Sequence, residues 1–277
     1  MQVFKNILIG IAFSPNLKAN LFEAVRLSNM FGARLVGVHV GDKTSQKETQ
    51  LQLLLNEAPE LSFPMQTIWQ KGNPERVILD TCSTQEIDLL ILGALQKENL
   101  FKYYVGSIAR KLTRNATCSV LLLIKPSAIR VPCKHIVVNG LKDDKTKDTI
   151  AKAFAISNSL ACKRITIVEE ISQTELDVKV SDDATLKKAT LEKDRIKKRE
   201  DLRVEKILTE IDCEQTSLKI QSIFGRRGYS IGHYAKIKRA DLLIMNAPVK
   251  TGLLDRIFPH DLEYILSELP TDLLIVK

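Results

Sequence analysis

Gly93, Gln96, Gly106 and Ser107 are the residues of this 277-residue chain whose types and spacing best suit a chemical task. Gly93 closes the apolar run Leu89–Leu92, two residues separate it from Gln96, nine more lead to Gly106, and Ser107 follows directly. Ile108, Ala109, Leu112 and Ala116 then recur at helical spacing, and a second apolar run spans Val120–Ile124. The order strand, glycine-edged loop, helix, strand places backbone N–H groups and a hydroxyl at a helix N-terminus. There the helix dipole and unpaired amides favour an anion such as phosphate. One alternative stays open: the glycines serve only a strand exit and a helix start, with Ser107 as a helix N-cap.

Other chemistry finds little support. A G-x-S-x-G nucleophile turn, a Walker loop and a strand-linked G-x-G-x-x-G are all absent. His233 and His260 have no well-placed serine or cysteine beside them, and Cys133-Lys134-His135 has no second ligand pair nearby. No catalytic and no metal-ligating residues are therefore expected. The segment Lys250–Asp261 carries Lys250, Arg256 and His260, which could face an anion, but Asp255 and Asp261 could equally pair them. A loop that docks a partner or packs on the chain itself is the expectation there.

The formal net charge is +8, and its distribution decides what it means. Between Lys187 and Lys206, nine basic residues alternate with five acidic ones. Interspersed signs suit a solvated helix face with i,i+4 pairs rather than a nucleic-acid footprint. Apolar runs are too short for a membrane span. The N-terminal segment passes straight into a strand pattern without signal-peptide features, and the five scattered cysteines suit reduced thiols. A cytoplasmic location is expected.

The elements that must position the glycines alternate regularly. Strands are predicted at Asn6–Ala12, Arg34–Val40, Met65–Gln70, Leu89–Leu92 and Val120–Ile124, with helices between them. Leu17, Leu21, Ala24 and Val25 form the face of the first helix, and Leu51, Leu53–Leu55 and Ala58 that of the second. His39 and Trp69 fall in strands and are expected to be packing residues. Such alternation predicts a parallel sheet covered by helices on both sides.

After the linker Pro126–Pro132 the pattern begins again. Gly72 and Gly225, Asp88 and Asp241, and Val120 and Leu273 are each 153 positions apart, whereas the first strands, at Asn6 and His135, are 129 apart. The second half thus carries about 24 extra residues upstream of Gly225, in or beside a charged helix over roughly 182–210. The expected boundaries are 1–126 for the first domain, 127–133 for the linker and 134–277 for the second domain. Val120–Ile124 and Leu273–Val276 are similarly apolar, and pairing them would cover two open strand edges.

The tandem layout and the Gly93–Ser107 spacing resemble the universal stress protein family over essentially the whole chain. The segment Gly106-Ser107-Ile108-Ala109-Arg110-Lys111-Leu112 is similar to that family's helix after its phosphate loop. The resemblance implies two tandem five-stranded α/β domains of Rossmann-like, adenine nucleotide alpha-hydrolase-like architecture, joined as a pseudo-dimer. It also implies a stress-response role, and ATP with magnesium as the ligand of the first domain, held at Gly93, Gln96, Gly106, Ser107 and Ser14.

The family's nucleotide-binding members carry Gly, two residues, Gly, nine residues, Gly and Ser or Thr, with an aspartate ending the first strand. Here Gln96 replaces the second glycine and Ala12 the aspartate, with Phe13 and Ser14 following. In the second half the matching positions are Leu141, Asn246, Val249, Pro259 and His260. The expectation is a non-catalytic regulatory module that works through an unidentified protein partner, its first pocket partly eroded. An ATP-binding switch with slow hydrolysis is the alternative, and a nucleic-acid-binding role a weaker one. Association of two chains into a homodimer stays open.

Overall fold

The computed structural model describes residues 2–96, 103–172, 175, 181–213, 216–247 and 260–277. The chain forms two compact units, one made of Met1–Pro132 with Leu266–Lys277 and the other of Cys133–Ile265. Both alternate strand and helix, as the hydrophobic pattern predicts.

In the first unit the order is β1 (Asn6–Gly10), α1 (Leu17–Phe31), β2 (Arg34–Val40), α2 (Ser45–Glu57), β3 (Gln66–Gln70), α3 (Pro74–Thr84) and β4 (Leu89–Gly93). A two-residue pair, β5 (Leu95–Gln96) and β6 (Tyr103–Tyr104), precedes α4 (Ser107–Asn115) and β7 (Ser119–Leu123). Along the sheet the strands run β3, β2, β1, β4, β7, all parallel. The inner strands β1, β4 and β7 are apolar on both faces because helices cover both sides, so Ile7, Leu8, Leu90, Val120 and Leu122 are fully buried.

Helix ends follow local chemistry. Asn73 accepts a hydrogen bond from the Arg76 N–H at 3.2 Å with Pro74 as the first helical residue of α3, and Thr44 accepts from Lys47 N–H at the start of α2. In α2 the sequence expectation is only partly met: Leu51 is buried, while Leu53 faces solvent. A triplet of leucines cannot all share one helix face at 100° per residue.

The second unit contains β8 (Ile136–Asn139), α5 (Thr146–Leu160), β9 (Arg164–Ser172), α6 (Asp183–Leu208), β10 (Ser217–Gly225), α7 (Tyr229–Ile237) and β11 (Leu242–Asn246), followed by α8 (His260–Ser267). Its strands run β10, β9, β8, β11, all parallel. The extra residues of the second half lie largely in α6, which has 26 residues against 13 in α2. Asp182 and Thr185 form a reciprocal capping box at its start.

The last strand, β12 (Asp272–Val276), belongs with the first unit. It pairs antiparallel with β7, Leu273 opposite Leu122 and Ile275 opposite Val120, so the two similar apolar runs do meet. The Asp272 carboxylate accepts from the Ile124 N–H at 2.8 Å, tying the ladder's end.

The internal repeat is visible as one device used twice. Asp88 accepts from the backbone N–H of Lys5 and Asn6 at 2.7 and 3.1 Å, and Asp241 from those of Lys134 and His135 at 2.7 and 2.9 Å. Each carboxylate opens an inner strand and gathers the start of its neighbour.

Candidate functional site

In the first unit β1 and β4 are neighbours, and the chain leaves them in opposite directions across the sheet. That is the switch point of an open α/β sheet, where a crevice forms beyond the strand carboxyl ends. Every residue expected to bind falls on this side. Ser14 is exposed in the turn after β1, Gly93 ends β4, Gln96 lies in β5 opposite Tyr103, and Gly106 and Ser107 start α4.

Gly93 has a packing reason to be glycine, since a Cβ there would meet the Asn20 side-chain amide nitrogen at 2.9 Å. Asn20, on α1, lies across the strand end, and its Oδ1 is buried with no hydrogen-bond donor. Gly106 rather than Ser107 is the N-cap of α4, in an extended conformation, and no side chain caps the helix. Ser107 is the first helical residue and is exposed, so the N-cap role open to it in sequence is not the one it takes. The approach to α4 is held elsewhere: the Val105 N–H donates to the Leu266 carbonyl at 3.1 Å, and Arg110 donates to the same oxygen at 3.3 Å.

On the β1–β2–β3 side of the crevice stands an aromatic cluster. Phe13 meets the His39 ring edge-on at 5.0 Å and stacks on Trp69 at 6.1 Å, while His39 and Trp69 are 5.1 Å apart. His39 is buried, with Nδ1 2.9 Å from the Ile11 carbonyl oxygen and Nε2 3.1 Å from Lys47 Nζ. A carbonyl only accepts, so Nδ1 carries the proton and Nε2 accepts from the lysine. Lys47 also sits 5.7 Å from the centre of the Phe13 ring. His39 and Trp69 pack as expected; the partner that brings them together, Phe13, comes from the loop after β1. Ile11, Leu17, Leu21, Phe22 and Leu51 form the floor beneath Phe13 and Trp69.

The second unit fills its strand ends with charge. Glu169, at the carboxyl-terminal part of β9, is buried and pairs with Arg203 of α6. Arg203 also binds Glu200 through Nε at 2.9 Å and donates to the Gly140 carbonyl just after β8. Burial lowers the pKa of the Arg203 guanidinium from its ordinary value. The adjacent Glu170 accepts from the backbone N–H of Gly228 at 2.6 Å and of Ile231 at 2.9 Å, at the N-terminus of α7. Asn246, which ends β11 where the first unit has Gly93, donates to Thr146 Oγ1 at 3.1 Å and points at Asp143 at 3.4 Å.

Of the second-half motif positions, His260 begins α8, while Val249 and Pro259, like Lys250, Arg256 and most of that loop, lie outside the described residues. Glu169, Glu170 and Arg203 were not singled out in sequence. The available signal was Glu169-Glu170 inside an otherwise apolar strand run, since adjacent buried carboxylates need partners.

A family model, the universal stress protein family, matches residues 64–123, which hold β3, α3, β4, α4 and β7. Over this stretch the chain matches the universal stress protein family. A universal stress protein of Bacillus subtilis is 27% identical over 104 residues, 36% of this chain and 70% of its own length. One from Methanocaldococcus jannaschii is 30% identical over 69 residues, 25% of this chain; the match spans only 41% of that relative's length. The fold is shared over the full length with a Pseudomonas aeruginosa protein of unknown function, at a TM-score of 0.72 and 19% identity, covering 100% of this chain and 93% of that one. Among the described residues no helix is long and apolar enough to cross a membrane.

Proposed function

We propose that this chain is a universal stress protein and a non-catalytic regulatory module that works by binding a protein partner, with its nucleotide pocket eroded in the first unit and lost in the second. The observation that carries this reading is that side chains of the chain itself stand at the strand carboxyl ends of both units. In the first, Phe13, His39 and Trp69 pack on one another beside β1, and Ala12 stands where nucleotide-binding members have a carboxylate. In the second, the carboxylates of Glu169, Glu170 and Glu200 crowd the ends of β8 and β9, with Glu170 taking the α7 amides, and Asn246 stands where the first unit has Gly93.

A second reading rests on the start of α4. Its first amides have no side-chain cap, and Gly106 and exposed Ser107 leave the backbone approachable. Those amides and the Ser107 hydroxyl would hold the phosphates of ATP, with magnesium neutralising part of their charge.

Calorimetric titration of ATP with magnesium into the full chain, after extraction to test for co-purified nucleotide, separates the two. No heat and no extracted nucleotide are expected, and Trp69, the single tryptophan, reports no change in fluorescence. Micromolar binding that Gly106→Val abolishes would establish the second reading instead.

A further inference from the structure

The side chains of Cys133 and Cys162 are neighbours in the second unit, near enough for each thiol to act on the other's titration. The proximity follows from strand register. In the β8–β9 ladder Ile136 lies opposite Ile165 and Val137 opposite Thr166; Cys133 and Cys162 each stand three residues before the first of these pairs, in the segments that lead into the two strands. Neighbouring strands lie about 4.8 Å apart, inside the Cα separation of about 4.4–6.8 Å that a disulfide spans. Two residues facing each other across a parallel ladder also point to the same side of the sheet.

The surroundings favour reaction at this pair. Cys162 is buried beside the Cys133 thiol, and its own thiol lies 3.6 Å from the Arg164 carbonyl, to which it donates. Cys133 is half-buried, which opens the pair to solvent. Hydrogen bonding from Cys133, ahead of the opposing cost of burial, lowers the Cys162 thiol to about 7, while that same bond raises Cys133. Cys162 is thus the sulfur of the pair that gives up its proton more readily, while Cys133 keeps its own.

We propose that Cys133 and Cys162 form a redox-active dithiol that hydroperoxides convert to a disulfide and small thiol reductants restore. The Cys162 thiolate attacks the terminal peroxide oxygen, the O–O bond breaks, and the leaving hydroxide or alkoxide takes up a proton, giving water or an alcohol together with a sulfenic acid. The Cys133 thiol then attacks the sulfenic sulfur; its proton leaves with the hydroxyl as water, and the S–S bond forms. A dithiol reductant returns both thiols by exchange. The crosslink closes the loop holding β8 and α5 and ties Cys133, the first residue of the second unit, to the corner between α5 and β9.

An internal comparison is built into the chain. Cys82 and Cys118 are also neighbouring thiols, but both are buried, and Cys82 sits on α3 rather than in a segment leading into a strand. Native full-length protein is treated with a modest excess of hydrogen peroxide, quenched, denatured, alkylated and digested without reduction for mass spectrometry. The expected result is a linked Cys133–Cys162 peptide, loss of two of the five alkylatable thiols, recovery with dithiothreitol, and alkylated Cys82, Cys118 and Cys213. In Cys133→Ser the linked peptide is gone and Cys162 instead takes up a sulfenic-acid probe such as dimedone. Five alkylatable thiols after treatment, or a first disulfide between any other pair, would overturn the assignment. The wild-type map decides this whether or not the serine variant folds.

Discussion

The Glu170 carboxylate accepts the backbone N–H of Ile231 at 2.9 Å, and so fills with a side chain the position at a helix start that an anion would otherwise take. With the Gly228 N–H also bound to it, the start of α7 is satisfied from within the second unit. Glu170→Gln keeps the shape but removes the charge, and it should lower stability by about 1–2 kcal/mol, while Glu170→Ala strands both donors and should cost about 2–4 kcal/mol. Urea midpoints with an unchanged slope would bear this out; equal stability of both variants with wild type would refute it.

Arg203 joins Glu169 and Glu200 beneath the end of β8. Removing the cation leaves the buried Glu169 carboxylate without its ion-pair partner, while Glu200 keeps Arg199, so Arg203→Met should destabilise by about 3–5 kcal/mol. Adding Glu169→Gln to that variant should recover part of the loss, because one orphan charge is then gone. A double-mutant cycle on thermal unfolding measures the coupling.

Ala161 ends α5 with a φ of 55°, and Gly32 ends α1 at the repeat-equivalent position with a φ of 62°. A left-handed conformation strains alanine through its Cβ and leaves glycine unstrained. Ala161→Gly is therefore expected to stabilise the chain by about 0.5–1 kcal/mol, once the greater flexibility of glycine in the unfolded state is offset. A lower urea midpoint would show that the strain is absorbed elsewhere.

His135 is buried against Thr166, with Nε2 2.9 Å from the threonine oxygen. Desolvation by burial, with Arg164 adding to it, lowers its pKa below the ordinary 6.5. Above that value the imidazole is neutral in folded and unfolded chains alike. As the pH falls below it, the unfolded chain takes up a proton that the folded chain resists, so stability drops until the folded pKa is passed. Between about pH 8 and about pH 5, His135→Gln should therefore lose less stability than wild type. Parallel losses in the two proteins would assign the acid sensitivity to other groups.

Much of the architecture was legible because it is written in local period and spacing. Alternating apolar runs and helical stripes named the elements, and the shared interval between Asp88 and Asp241 located a repeat whose two carboxylates make the same backbone contacts. Gly106 marked the start of α4 because a glycine before an amphipathic run is a local signal. Tertiary structure alone decided that β12 lies against β7, that Phe13 closes on His39 and Trp69, that Glu169 meets Arg203, and that Cys133 lies beside Cys162. Residues 26 to 155 positions apart meet in these contacts. Hydrophobic periodicity says which face of an element is buried, but strand order and register choose what that face is buried against.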